Sequence, residues 1–144
     1  MQPAIDSDQA RFRLRLRRSP IHRWGVYAAE PIPPRRKVIE YTGERISRRE
    51  TLRRGQGDLT YLFTLDNYWT LDGSVGGSGA EYINHSCDPN LYSCNFKGHI
   101  LYMSARLIAP DEELTVDYCF DRDVDPVVCR CRARNCRGTI NLLK

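Results

Sequence analysis

Glu81-Tyr82-Ile83-Asn84-His85-Ser86-Cys87-Asp88-Pro89-Asn90 is the stretch on which the reading of this 144-residue chain turns. Ten residues supply amides, an imidazole, a hydroxyl, a thiol and carboxylates, and they close on a turn-making Asp-Pro-Asn. Tyr82-Ile83 gives this polar run an apolar anchor. Two later stretches answer it: Glu113-Leu114-Thr115-Val116-Asp117-Tyr118, and Cys129-Arg130-Cys131 followed by Cys136.

Working outward, the length predicts one domain with a small core, which a metal staple would help to hold. No apolar run approaches the roughly 20 residues of a membrane helix. Met1 to Arg18 lacks the apolar centre of a signal peptide, so the expectation is an intracellular protein, and Asn84-His85-Ser86 is then a chance match to a glycosylation acceptor. In a reducing compartment the cysteine triplet at the C-terminal end reads as metal ligands, with disulfides the competing reading. The net charge of +4 is carried by nineteen arginines and three lysines. It suits an ordinary solvated surface, or attraction to nucleic acid or nucleoprotein.

Along the chain, Met1 to Ala10 has no periodicity and reads as a loose arm. Phe12, Leu14 and Leu16 alternate with Arg11, Arg13, Arg15 and Arg17, the period of a strand buried on one face, and Ser19-Pro20 ends it. The arginine face would protect a sheet edge. Lys37 to Tyr41 reads as a strand. Ser47 and Glu50 have capping-box spacing and Gly55 a helix stop, predicting a short helix between them. Tyr61 to Leu65 and Tyr68 to Leu71 form a hairpin about Asp66-Asn67; Leu91 to Phe96 and His99 to Ala105 form another about Lys97-Gly98. Ser74 to Gly79 is glycine-rich without the spacing of a phosphate loop and reads as a flexible hinge. Glu113 to Tyr118 is a final strand. Many short strands with little helix predict a mainly β domain.

The order of the three motifs resembles the SET domain of protein lysine methyltransferases with a post-SET tail. The likeness runs from about Arg18 to Gly138. It implies several small β-sheets, a pseudoknot in which the segment ending at Tyr118 threads the Asn84 stretch, and few short helices. The parts would be an arm and edge strand over 1–17, a SET domain over 18–120 and a post-SET segment over 121–144. His22 to Ala29 resembles the first family motif, with Arg23 where a glycine is usual and Gly25 retained. Tyr41-Thr42-Gly43-Glu44 matches a second, and the compact stretch between Gly43 and Asn84 makes this a minimal version of the domain.

The resemblance implies S-adenosylmethionine as methyl donor, held by Arg23, Trp24, Tyr41, Asn84 and His85. It makes Tyr118 the catalytic tyrosine, Tyr61 a second channel tyrosine, and Val116 a position that affects the room around the amine. It adds Cys87 to Cys129, Cys131 and Cys136 as the four ligands of one structural zinc, a set that the triplet alone leaves one short. Cys94, on a strand, reads as a buried small hydrophobe. The implied reaction is lysine N-methylation. A lysine with a pKa near 10.4 needs about 4 kcal/mol to deprotonate near neutral pH, which a sulfonium and a dry aromatic channel would supply.

The favoured partner is a histone tail, H3 first, with a nonhistone basic protein next and nucleic acid secondary. Asp58, Asp66, Asp72 and Glu81 are candidates to attract such a peptide. Monomer and homodimer both fit, as do the nucleus in a eukaryote and the cytoplasm, or export to a host, in a bacterium. An inactive SET-fold binding module competes, favoured by Arg23 and Glu81. A zinc-containing nucleic-acid binder stands third.

Overall fold

The structure, a computed structural model, describes residues 3–55, 61–119 and 126–142. Among these described residues, ten short strands and one short helix make up the regular structure, apart from a single 3-10 turn. β1 (Leu14–Arg18) and β2 (Trp24–Ala28) form an antiparallel ribbon with Leu14 opposite Ala28 and Arg18 opposite Trp24. The expected alternation holds: Phe12, Leu14 and Leu16 pack against the core, and Arg13, Arg15 and Arg17 face solvent. Ser19 turns the chain, its backbone N–H donating to the Arg23 carbonyl at 2.8 Å.

β3 (Lys37–Tyr41) carries Val38 and Ile39, both fully buried. β4 (Glu44–Ser47), which the sequence reading did not separate from the helix, leads into α1 (Arg48–Arg54). Ser47 caps α1 as expected, accepting the Glu50 N–H, and Gly55 closes it on the Thr51 carbonyl. The other half of the capping box is not formed, because the Glu50 carboxylate binds Arg53 and Arg54 instead. β5 (Leu62–Thr64) and β6 (Trp69–Asp72) are the hairpin read around Asp66, whose Oδ1 accepts the Tyr68 and Trp69 N–H groups at 2.8 Å each. They complete the sheet β4-β6-β5.

Beyond β6 the chain makes the 3-10 turn Ala80–Tyr82 and β7 (Asn84–His85), then β8 (Leu91–Phe96) and β9 (His99–Ser104), in the sheet β3-β9-β8. Lys97 and Gly98 have φ of 51° and 83°, the paired left-handed residues of a two-residue hairpin turn. The final strand is shorter than its motif: β10 (Thr115–Val116) lies parallel to β7, with Thr115 beside Asn84 and Val116 beside His85. Asn90 locks this crossing, donating to the Glu113 carbonyl at 2.8 Å and accepting the Thr115 N–H at 2.8 Å. This is the meeting of two distant segments that the resemblance to the SET domain implies.

Three expectations fail here. Residues 3–10 are not a loose arm, because Ile5 packs on the core, Asp6 N–H donates to Ser78 O at 2.8 Å and Ala10 bridges to Ile39. The glycine-rich loop is not a hinge: Ser78 is fully buried with its hydroxyl on the Glu40 carbonyl, and Thr42 donates to Gly76 O at 2.9 Å. Cys94 is exposed, since β8 turns most of its side chains to solvent. Among the described residues no helix is long and apolar enough to cross a membrane.

Candidate active site and metal centre

β2 begins at the turn that carries the altered glycine position. Arg23 has φ of 43°, so it holds the left-handed conformation that a glycine would take without strain. Gly25 is needed for a different reason. A Cβ there would lie 2.5 Å from Glu113 Oε2 and 2.9 Å from Ser19 Cβ. Glu113 fills that space and gathers the site: it accepts the Ser19 hydroxyl at 2.8 Å and the Asn84 amide at 3.0 Å. The Asn84 amide also donates to the carbonyls of Trp24 at 2.9 Å and His22 at 3.2 Å. Asn84 is thus buried beneath the Arg23-Trp24 turn and shapes it, which also closes it to glycosylation.

Above the turn lies a cleft of about 410 Å³ lined by Pro3, Arg18, Arg23, Trp24, Tyr61 and Tyr82. Tyr61 and Tyr82 meet edge to face with centroids 5.4 Å apart. Burial raises the pKa of both hydroxyls, and Glu81 adds to it. Tyr118 donates its hydroxyl to the Ile83 carbonyl at 2.6 Å. The residue as a whole is 37 % exposed, but protein crowded around the ring first, then the nearby Tyr61 and Glu113, push its ionisation upward, so the phenol stays protonated at neutral pH. Tyr41 is 5 % exposed, packs on Phe63 and Tyr102, and donates to the Tyr61 carbonyl at 2.6 Å. It buttresses the cleft wall rather than lining the cleft. Val116 is 4 % exposed within the core cluster.

The acids expected to attract a peptide are placed differently. Asp72 is buried and bound to Arg54 Nη1 at 2.8 Å. Glu81 turns into the glycine-rich loop, accepting the Gly79 N–H at 2.8 Å, and burial raises its pKa. Asp66 caps its own hairpin. Asp58 lies outside the described residues.

The four expected cysteines converge: the sulfurs of Cys87, Cys129, Cys131 and Cys136 all lie within 4.8 Å of one another, and Cys87 Sγ is 3.8 Å from Cys129 Sγ. A tetrahedral zinc with bonds of about 2.3 Å needs sulfurs about 3.8 Å apart. Backbone N–H groups already point at these sulfurs, from Arg137 to Cys87 at 3.4 Å and from Gly138 to Cys136 at 3.3 Å. Burial opposes ionisation of Cys131, but N–H bonds from Cys87 and Ala133 and the neighbouring thiols bring it down to about 6. The donor set fits zinc. Arg132, at the other altered glycine position, has φ of 63°.

His85 joins the two centres. Its ring is buried, with Nδ1 accepting the Tyr118 N–H at 3.0 Å and Nε2 3.5 Å from Cys87 Sγ. An Nδ1 that accepts leaves the proton on Nε2, aimed at sulfur. The tail is clasped a second time by Arg137, whose guanidinium binds Asp117 at 2.8 and 3.2 Å and the Ile140 carbonyl at 2.8 Å. Ile140 is half-buried and Leu142 is 38 % exposed; Leu143 lies outside the described residues. Tyr82, Glu113 and the Asp117–Arg137 pair were missed as site residues, although Tyr82, Glu113 and Asp117 stand inside the motifs first quoted.

Residues 23–119 match the family described as SET domain. The histone-lysine N-methyltransferase, H3 lysine-4 specific, of Eremothecium gossypii is 40 % identical over 141 residues, 86 % of this chain and 14 % of that protein. Its namesake in Saccharomyces cerevisiae is 38 % identical, over 86 % of this chain and 13 % of that protein. The chain therefore spans about a seventh of the length of these relatives. Among solved structures, KRYPTONITE in complex with mCHG DNA and SAH superposes with a TM-score of 0.79 at 30 % identity, covering 94 % of this chain and 30 % of that one. With the motifs, the fold and the match all in agreement, this chain belongs to the SET-domain family.

Proposed function

We propose that this domain is an S-adenosylmethionine-dependent protein-lysine N-methyltransferase whose substrate is the tail of histone H3, lysine 4 first, and that it works at chromatin. The observation that carries the reading is the Tyr118 hydroxyl, fixed on Ile83 O beside the tyrosine-walled cleft. The H3 assignment rests on the names of the relatives above.

Tyr118 gives its own proton to Ile83 O, so its oxygen presents lone pairs to the site. It can then accept an N–H from the incoming amine and aim the nitrogen lone pair. A protonated phenol cannot act as the base; the amine loses its proton to water before it is sealed in. Tyr61 and Tyr82 exclude water and pack the lysine stem, which favours the neutral amine. Trp24 and Arg23 would hold the methyl donor along their backbone, on a turn kept in place by Asn84 and Glu113. Bound S-adenosylmethionine supplies the electrophilic methyl group on a sulfonium. Cys87, Cys129, Cys131 and Cys136 would hold a zinc ion that fastens the tail beside Tyr118.

Mass spectrometry of core histones incubated with zinc-loaded protein and S-adenosylmethionine tests this. Methyl gain confined to H3, and lost when the target lysine of the H3 tail is replaced by arginine, is the expected result. Methyl gain on no histone, from a protein that binds the donor, would overturn the substrate assignment.

A further inference from the structure

The N-terminal ribbon carries a feature that the methyl-transfer site does not use. Arg13, Arg15 and Arg17 project from one face of β1, with side chains 77 %, 60 % and 46 % exposed. Arg11, just before the strand, is exposed and lines the same groove as Arg13 and Arg15, a groove of about 560 Å³ along the ribbon. The strand ends beside the cleft at Arg18, which alternates to the other face of the ribbon and has its guanidinium 4.6 Å from the centre of the Trp24 ring. The opposite face of the strand is the apolar one that packs on the core. The arginines are therefore fixed outward by the register of the sheet, not by flexible chain.

Two carboxylates answer this row. Glu30 lies 3.7 Å from Arg13; Asp111 lies 3.8 Å from Arg15 and 3.3 Å from Arg17. Four arginines against two acids leave an excess of two positive charges along this face of the ribbon. These exposed pairs are weak and exchange readily for a stronger anion. We propose that this arginine row is a docking surface for double-stranded DNA that leads into the active-site cleft.

Two properties favour DNA over an acidic protein. Alternate residues of a strand are about 6.7 Å apart, of the same order as the through-space separation of neighbouring phosphates along one winding DNA strand, so the row presents cations at the spacing of a regular polyanion. Every cation in it is arginine, whose planar fork binds phosphate through two N–H groups at once. The consequence is geometric: DNA on this ribbon would hold a basic tail that leaves nucleosomal DNA next to Tyr61 and Tyr82. That last step rests on the proposed function; the DNA contact does not.

The test is fluorescence anisotropy of a labelled 20-base-pair duplex (about 68 Å long at 3.4 Å per pair) titrated with the zinc-loaded chain over a series of salt concentrations. Binding should weaken with salt at a log–log slope of about −3, from three to four phosphate contacts. The triple variant Arg11→Glu, Arg13→Glu, Arg15→Glu should bind at least tenfold more weakly, and the corresponding triple lysine variant should keep most of the affinity. Both should methylate an H3 peptide like the parent, while only the glutamate variant should lose rate on nucleosomes. Equal DNA binding by the parent and glutamate proteins, or displacement of the duplex by polyglutamate at matched charge, would overturn the proposal. A failure of methylation with intact, arginine-dependent DNA binding would count against the enzyme reading alone.

Discussion

Arg23 and Arg132 stand where the family commonly has glycine, and both keep the glycine backbone, with φ of 43° and 63°. The fold has retained the conformation and placed the strain on the side chain. Arg23→Gly and Arg132→Gly should each raise stability by about 0.5–1 kcal/mol, the relief of left-handed strain less the extra freedom of glycine when unfolded. Urea midpoints measure this, and a lowered midpoint for both would contradict it. Arg23→Gly should also tighten S-adenosylmethionine binding, because the cleft wall loses a cation facing a cationic ligand. His85 makes a second residue-scale claim. If Nε2–H supports the Cys87 sulfur, His85→Leu should weaken zinc affinity about tenfold. Competition with a chromogenic chelator would show it, and unchanged affinity would remove His85 from the zinc's surroundings.

Among the elements, α1, β4 and β6 are tied by Arg54, which binds Glu44 at 2.6 Å, Glu50 at 2.8 Å and Asp72 at 2.8 Å. Burial alone would raise the pKa of Asp72, but bonds from Ser74 and Arg54 hold it below its usual value. A depressed pKa stabilises the fold above the ordinary carboxylate range, and that contribution is lost as pH falls through the folded value. Without Arg54 only the bonds from Ser74 oppose the burial effect, and the stabilising contribution of Asp72 shrinks. The urea midpoint of Arg54→Ala should therefore fall further below the parent at pH 6.5, well above the range where Asp titrates, than at pH 3, below the ordinary Asp value of about 3.9. An equal gap at both would show that Asp72 does not depend on Arg54. Elements with a strong local period were legible in the sequence: β3, the β8–β9 hairpin and the Ser47 cap stand where residue patterns place them. The arm over 3–10 and the glycine-rich loop were not, because they are fixed by distant partners, Ser78 with Asp6 and Ser78 with Glu40, that leave no period behind. β10 is shorter than its motif for a related reason: Asp117 and Tyr118 leave the strand to reach Arg137 and Ile83.

At the scale of the whole molecule, three devices among the described residues attach the C-terminal segment: the four-cysteine cluster, the Arg137–Asp117 pair and the bond from the Asn135 amide to the Cys87 carbonyl at 3.4 Å. The Arg137–Asp117 pair meets the segment that holds Tyr118 directly, and the cysteine cluster reaches it through His85. Zinc removal should thus raise amide exchange over 127–142 and at Tyr118 while leaving β3, β8 and β9 protected; uniform loss of protection would mean that the metal holds the entire domain. The motif order was enough to indicate the fold and the four sulfurs. The wall residue Tyr82 and the central acid Glu113 became clear only when the parallel β7–β10 crossing brought segments thirty residues apart into contact. Everything converges on one phenol. The most direct test compares the parent with Tyr118→Phe for methyl transfer to an H3 tail peptide and for S-adenosylmethionine affinity. The account predicts a fall in kcat of about a hundredfold or more with the donor's Kd nearly unchanged, because the hydroxyl acts on the amine rather than on the donor. A Tyr118→Phe enzyme that turns over at the parent rate would contradict it.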